Sequence, residues 1–322
     1  MEAQISSLMN DEFLAFQIGY ITLFASTLVY MVYWFFNVSS LRIVGKIIYI
    51  LGILALTTSI GFRYAHTGRL PLIQAYEVFL LMGWMMLLVG LFADKIVKNV
   101  FSTTFTSFFV AIAMVYIEGH MDRTAGEVMP ALQSHWLEFH VITTMLSYAA
   151  ISVGFLAAEA YLVSRLDWLE ELSYKMTAFG FPLLTIGIVS GSVWAQEAWG
   201  TWWGWDPKET ASLIMWLVFA AYLHMRLVGG WRGAKAAWMN IAGFASMLFC
   251  FLGLNWVSSI FKLESQHVYG TGGEGTSKMF YFLTMVLIIA VVVFIGGMIL
   301  KIRKPKIEDS KDKGVNESNK RK

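Results

Sequence analysis

Charge is scarce in this chain. Only 14% of its 322 residues are Asp, Glu, Lys or Arg, where a soluble domain carries about 25%. A water-facing globule of this size is excluded on that ground. The net charge is only +2, and no nucleic-acid partner is expected. Cysteine is almost absent, with Cys250 alone inside an apolar run. No intrachain disulfide and no C-x-x-C pair can form, so the chain is not itself a thiol–disulfide reductant. Alternation with a period of two is missing, which argues against a β-barrel. No repeat of roughly 20–50 residues recurs. Residues 1–12 hold no basic run, so a cleavable signal peptide is not expected.

What is present is apolar. Hydrophobic residues make up 57% of the chain, and the mean hydropathy is +0.60. Nine apolar segments can be marked: residues 13–36, 44–62, 72–93, 100–117, 136–163, 176–196, 209–228, 236–258 and 279–300. Most approach the ~20 residues that a bilayer-spanning helix needs. Backbone groups in lipid must bond internally, so helices are the expected solution. The expected fold is an all-α polytopic membrane protein with nine transmembrane helices.

Lys and Arg set the orientation. One set of helix ends and loops holds Arg42, Lys46, Lys95, Lys98, Arg165, Lys175, Arg226, Arg232, Lys235, Lys301, Arg303, Lys304 and Lys306, thirteen in all. The opposite set holds six: Arg63, Arg69, Arg123, Lys208, Lys262 and Lys278. The richer side is expected to be cytoplasmic, with the N-terminus outside and the C-terminus inside. Residues 1–302 then form the membrane domain. Residues 303–322 read as a charged, disordered cytoplasmic tail. Three outside loops are long: 118–135, the stretch 194–210, and 259–278. The glycines of G-T-G-G-E-G in the last are a weak phosphate signal, since no strand precedes them and no Lys-Ser/Thr follows.

The stretch 194–210 reads W-A-Q-E-A-W-G-T-W-W-G-W-D-P-K-E-T. Trp194, Trp199, Trp202, Trp203 and Trp205 place five indoles within twelve residues. One or two would be an interfacial belt. Five, broken by Gly200 and Gly204, make an aromatic platform suited to a large planar ligand. Asp206, Pro207, Lys208 and Glu209 close it with a turn and charges.

The six histidines are His66, His120, His135, His140, His224 and His267. A boundary histidine is ordinarily a solvated polar residue. A neutral imidazole oriented by a second group is also a good axial ligand to haem iron. His140 lies a few residues into the fifth segment, and His267 lies in the third outside loop. The tryptophan platform falls between them on the same side, so the pair could sandwich a haem. His224 is deep in the seventh segment. Ionisable groups there are functional candidates by default, and the bland reading is a residue reaching the inner headgroups. His66, His120 and His135 read as solvated loop residues. Glu77 and Glu159 read as membrane-embedded partners for a positive group. Arg63, Arg69, Arg123 and Lys208 are outside cations able to meet a carboxylate. The scattered methionines read as packing residues.

The run W-G-T-W-W-G-W-D-P-K-E-T resembles the tryptophan-rich "WWD" motif of membrane haem-handling proteins of cytochrome c maturation. Its D-P-K-E-T ending is similar to the CcsA (ResC) subunit of the two-part cytochrome c synthetase. The likeness spans residues 63–270. It includes G-R-L-P-L-I-Q-A-Y-E up to Glu77, W-L-E-F-H-V around His140, A-Y-L-H-M-R around His224 and H-V-Y-G around His267, a looser match.

The resemblance implies that haem b is both substrate and bound ligand. His140 and His267 would be its outer axial ligands and His224 a membrane-embedded one. Trp199, Trp202, Trp203, Trp205 and Asp206 would belong to the haem-binding motif. It implies a CcsB (ResB) type partner supplying a second membrane histidine, and an apocytochrome c with a C-x-x-C-H motif as client. The expected location is the cell's inner membrane, or the thylakoid if the source is a plastid. A CcmC-type exporter shares the motif but is shorter and usually lacks D-P-K-E-T; a CcmF-type lyase is much longer. A haem b electron carrier needs intramembrane histidine pairs, and only His224 is deep. A cofactor-free transporter is the remaining alternative.

Overall fold

The computed structural model of the chain describes residues 2–124, 128–254 and 257. Among them are eight long helices: α1 (Glu2–Phe36), α2 (Ser39–Thr67), α3 (Ala75–Val97), α4 (Phe101–His120), α5 (His135–Ser164), α6 (Asp167–Trp199), α7 (Pro207–Leu227) and α8 (Ala234–Leu248). A π-turn, Phe249–Gly253, carries α8 onward. All eight, counting that turn with α8, are long and apolar enough to cross a membrane, so this is a multi-pass membrane protein. They correspond to the first eight apolar segments. The ninth segment, the loop 259–278 with His267, and the tail 303–322 lie outside the described residues.

Most links between helices are short, and consecutive helices run in opposite directions. One end of the bundle therefore gathers the starts of α1, α3, α5 and α7 and the ends of α2, α4, α6 and α8. The tryptophan-rich loop lies there, and this is called the tryptophan end below. The other end carries the basic links Arg42–Lys46, Lys95–Lys98 and Arg232–Lys235.

Helix α5 is the most buried of the eight and α7 the least. Small side chains explain the first. Ala149, Ala150, Ala157 and Ala158 are fully buried on α5, and Gly180 and Gly187 of α6 bring the two backbones close. Without lipid-driven association between helices, such close backbone approach is what membrane bundles use. Ser147 donates to the Gly180 carbonyl at 2.8 Å across this contact. Phe251 then ties α5 to α3, edge-on to Tyr148 and Phe79 at 5.6 and 5.5 Å.

Two buried polar clusters pin the ends. At the tryptophan end, Arg63 of α2 donates to Glu77 Oε1 (3.0 Å), Gln74 Oε1 (2.6 Å) and the Arg123 carbonyl (2.6 Å). Arg69 reaches the same Glu77 carboxylate at 2.8 and 3.1 Å. Glu77 also accepts from the backbone N–H groups of Ile73 and Gln74, which caps α3. Glu77 is thus the embedded partner of positive groups that its position in the sequence suggested. The loop is held too: Asp122 accepts from the Thr124 backbone and hydroxyl, which keeps its carboxyl below the ordinary range. At the other end Arg226 of α7 reaches Glu170 (3.0 Å) and Glu171 (3.3 Å) of α6 and lies over the Tyr174 ring.

Some sequence readings change. Helix α6 begins at Asp167, nine residues before the apolar segment. Its first turns carry Asp167, Glu170 and Glu171, which interrupt the hydropathy, but pairing with Arg226 lets them pack. Helix α1 likewise begins well before residue 13. His66 is not a solvated loop residue: it sits in the last turn of α2, half-buried, with Nδ1 shielded and lacking a partner. His120 and His135 are exposed as expected, the first stacked on Tyr116 and the second paired with Glu138 at 3.0 Å. Glu159 is half-buried, and no hydrogen bond or ion pair reaches it among the described residues.

Candidate functional site

The tryptophan loop is shaped from both sides by helix ends. Gly200 stops α6 in the left-handed conformation, φ 77°, and donates its N–H to the Gln196 carbonyl at 3.0 Å. Glycine takes that conformation without a Cβ clash, which is why the helix stops there. Five residues later Trp205 has φ 56°, uncommon for a residue with a side chain. Asp206 then caps α7. Its carboxylate accepts from the Lys208 N–H at 2.8 Å, and Glu209 returns the favour to the Asp206 N–H at 3.1 Å. Glu209 also accepts from the Gly204 N–H at 2.8 Å. With Pro207 in the first turn, D-P-K-E is a complete helix start.

The five tryptophans divide. Trp194 is 5% exposed, packs edge-on to Trp199 at 4.6 Å, and donates Nε1–H to the Ala131 carbonyl at 2.9 Å. These two belong to the end of α6. Trp202 and Trp205 are 57% and 68% exposed. Trp203 is half-buried and stands edge-on to Trp205 at 6.0 Å.

Trp202 and Trp203 line a cavity together with His140. Its walls come from α5, α6, α7 and the π-turn after α8: Met145, Tyr148, Gly191, Lys208, Met215 and Phe251 among them. The space, mouth included, is about 760 Å³. The π-turn is part of the design. An extra residue in the turn puts both Cys250 and Phe251 on the wall, and such bulges mark functional sites in helices.

His140 is oriented by α6. Its Nδ1 lies 2.6 Å from the Gly187 carbonyl oxygen. A carbonyl only accepts, so Nδ1 carries the hydrogen and donates. In the neutral ring Nε2 then keeps a lone pair for a metal. The ring lies against Gly191, where any added Cβ would stand 2.6 Å from Nδ1. Gly187 and Gly191 thus form a notch for the imidazole. The sequence reading missed both, although G-I-V-S-G is a small-x-x-x-small spacing that signals close approach. It also missed Thr144, one turn after His140 on the cavity wall, whose buried Oγ1 has no partner.

The other expected site residues that are described do not line this cavity, and His267 lies outside the described residues. Trp199, Trp205 and Asp206 do not line it; the first packs against Trp194 and the last is a helix cap. His224 is near the opposite end of α7, exposed on an apolar stripe with Ile214, Leu217 and Val228. It is the only histidine at that end among the described residues, so no intramembrane pair of the electron-carrier kind is formed within them. Of the outside cations among the described residues, Lys208 lines the cavity; Arg63 and Arg69 bind Glu77, and Arg123 lies 3.7 Å over the Phe13 ring.

One tautomer-fixed imidazole, an aromatic wall and a single lysine are what a metalloporphyrin edge would meet. Residues 72–262 match the family model described as cytochrome C assembly protein. The chain belongs to that family. It is 35% identical over 257 residues to the cytochrome c biogenesis protein CcsA of Guillardia theta, covering 69% of this chain and 83% of that one. It is 33% identical to CcsA of Microcystis aeruginosa, covering 67% and 84%. Among solved structures, cytochrome c heme lyase CcmF has the same fold, with a TM-score of 0.62 at 21% identity. That likeness covers 88% of this chain and half of CcmF. Within the cytochrome c assembly family the match begins in the link before α3 and runs through the cavity, leaving out the α1–α2 hairpin.

Proposed function

We propose that this chain is the membrane subunit that brings haem b to the tryptophan end and holds it there for covalent attachment to apocytochrome c. Its work is cytochrome c biogenesis. The observation that carries the reading is His140: its Nδ1–H is fixed on Gly187, and it lines one cavity with Trp202 and Trp203. The chemistry of attachment belongs to the two reactants. A client thiol adds across a vinyl group, sulfur to one carbon and hydrogen to the other. The chain's residues supply position. Holding a reactant near its partner in the right pose is a large part of many catalytic rates.

His267 is proposed as the second axial ligand. It follows the π-turn in sequence. His224 is proposed as an earlier ligand at the basic end, which by its charge asymmetry is the cytoplasmic end. Exposed on an apolar stripe, it needs a partner chain to complete a bis-imidazole site. A CcsB-type membrane subunit is the proposed partner. The membrane is then the inner membrane of a bacterium or the thylakoid of a plastid, and the client carries C-x-x-C-H.

Loading from two sides tests the order. His140→Ala protein should lose the low-spin haem spectrum whether haem comes from the cell or is added in detergent. His224→Ala protein should purify with little haem yet accept haem added to the tryptophan end. A His140→Ala protein with the wild-type spectrum would remove the carrying observation. A His224→Ala protein with full cell-derived haem would remove the entry role alone.

A further inference from the structure

Gly187 holds the His140 ring in place, so whatever acts on the Gly187 carbonyl acts on the ligand. A carbonyl oxygen has two lone pairs, and more donors than that converge on this one. Within α6 the carbonyl of residue 187 accepts from the N–H of Gly191, four residues on. From α5 it takes the Nδ1–H of His140 at 2.6 Å. A further donor is the hydroxyl of Ser190, 3.0 Å away on α6 itself.

Ser190 is buried, and its hydroxyl also reaches the Ile186 carbonyl at 2.8 Å. A helix serine that bonds back to the residue four before it is ordinary. On that reading alone Ser190 would merely fill space between packed helices. The second acceptor sets it apart. Ser192 bonds back to the Val189 carbonyl at 2.8 Å, but the carbonyl that Ser190 shares is the one that orients His140.

An oxygen whose electron density is drawn toward one proton offers less to the next. The Ser190 hydroxyl therefore weakens the pull of Gly187 on the Nδ1 hydrogen. The strength of that pull passes through the ring. A stronger acceptor at Nδ1–H makes Nε2 more basic and a firmer metal ligand. A firm ligand suits a resident cofactor, which stays. Haem that is cargo has to leave once it is joined to the client, and a softer imidazole releases it.

We infer that Ser190 is a positioning residue that shares the Gly187 carbonyl with His140 and so keeps the imidazole a moderate, releasable ligand to haem iron. The inference rests on the haem reading given above and deepens it by one residue. Ser190 does not line the cavity, so it acts through His140 and not on the haem itself.

The experiment reads His140 twice on the full-length chain in detergent. Without haem, isotope-labelled histidine gives the NMR shift of the Nδ1 proton, identified by its loss in His140→Ala. With haem, a redox titration followed in the Soret band gives the potential of the haem that His140→Ala loses. Ser190→Ala should move the Nδ1 proton downfield, the mark of a stronger hydrogen bond. An electron-rich imidazole favours ferric iron, so the ratio of ferric to ferrous affinity should rise at least about threefold. That is a fall in potential of roughly 28 mV, at about 59 mV per tenfold. Ser190→Thr keeps a hydroxyl on the same carbon and should restore both readings. Ser190→Cys, a weak donor, should fall between, and it carries the comparison if the alanine chain folds poorly. A space-filling serine predicts no change in either reading. An unchanged proton shift in Ser190→Ala overturns the sharing, and a moved shift with an unchanged potential overturns the effect on the ligand. If Ser190→Thr behaves as Ser190→Ala does, the hydroxyl is not the cause and the inference falls. A wild-type chain that binds no haem sinks the haem reading, while the proton shift still decides whether the carbonyl is shared.

Discussion

Gly191→Ala should damage the haem site without touching any ligand. The new Cβ would stand 2.6 Å from His140 Nδ1 and 2.8 Å from Cε1. Ordinary contact begins at 3.4 Å, so the ring or α6 must retreat by about 0.8 Å. A retreat of that size along the 2.6 Å bond to Gly187 would stretch it to about 3.4 Å, beyond the usual ~2.7–3.2 Å for N–H···O. The overpacking should cost about 1–3 kcal/mol if it is not relieved. Relief by rotating the imidazole frees Nδ1 and loses the tautomer, and losing such an orienting partner typically lowers metal affinity by about 10–100-fold. Haem titration of the purified variant would read the affinity, and the Soret and α bands would read the ligation state. Gly119→Ala is the control, since nothing lies within 4 Å of its added Cβ and it too is on a helix. The control should bind haem normally and be slightly more stable, as alanine is the better helix former. A Gly191→Ala chain with wild-type affinity and spectrum would refute the notch and, with it, the argument that Gly187 sets the tautomer.

Two other outcomes are expected. Glu209→Ala removes one acceptor from the Gly204 and Asp206 N–H groups, so the chain should lose about 0.5–2 kcal/mol; a drop in thermal midpoint with a more proteolysis-prone loop at 200–205 would be the signature, and an unchanged midpoint would count against the capping box. Arg63→Met leaves Glu77 and Glu12 without their shared partner, which should cost about 3–5 kcal/mol. That variant, once stabilised by lipid or low temperature, should still bind haem with the wild-type spectrum, because Arg63 does not line the cavity.

Helix existence was legible because lipid makes hydropathy a direct report of burial. The start of α6 was not, because Glu170 and Glu171 look like a loop until Arg226 is known to meet them. The tryptophan motif was legible as a platform, yet its members have different work. Trp194 is a nearly buried part of the cavity wall whose indole N–H ties down the segment at Ala131, while Trp202 stands exposed on the same cavity, and no spacing rule distinguishes the two. Asp206 reads as a site acid and is a helix cap, a role that D-P-K-E also spells. His140 could be picked from the chain, but the groups that orient its ring are a carbonyl and two glycines on another helix. Lys208 could not be told from Arg63, Arg69 and Arg123 in the chain, and the structure places it on the cavity wall.

Helix α7 begins at one end of the proposed haem path and finishes at the other. Lys208 is in its first turn and His224 in its last, sixteen residues on, or roughly 24 Å along one uninterrupted rod. Rods of this kind have few soft joints, so the two positions share a single rigid-body freedom. A substitution that tilts α7 to suit a neighbour at His224 also swings Lys208 across the far cavity. Sequence drift at the two ends is therefore constrained jointly. Changes accepted on the outward stripe of Ile214, Leu217 and Val228 should be paired with compensating changes in residues that line the cavity with Lys208, such as Thr144 and Ser192. Lineages that exchanged their partner subunit would carry the trace of it on the opposite side of the membrane.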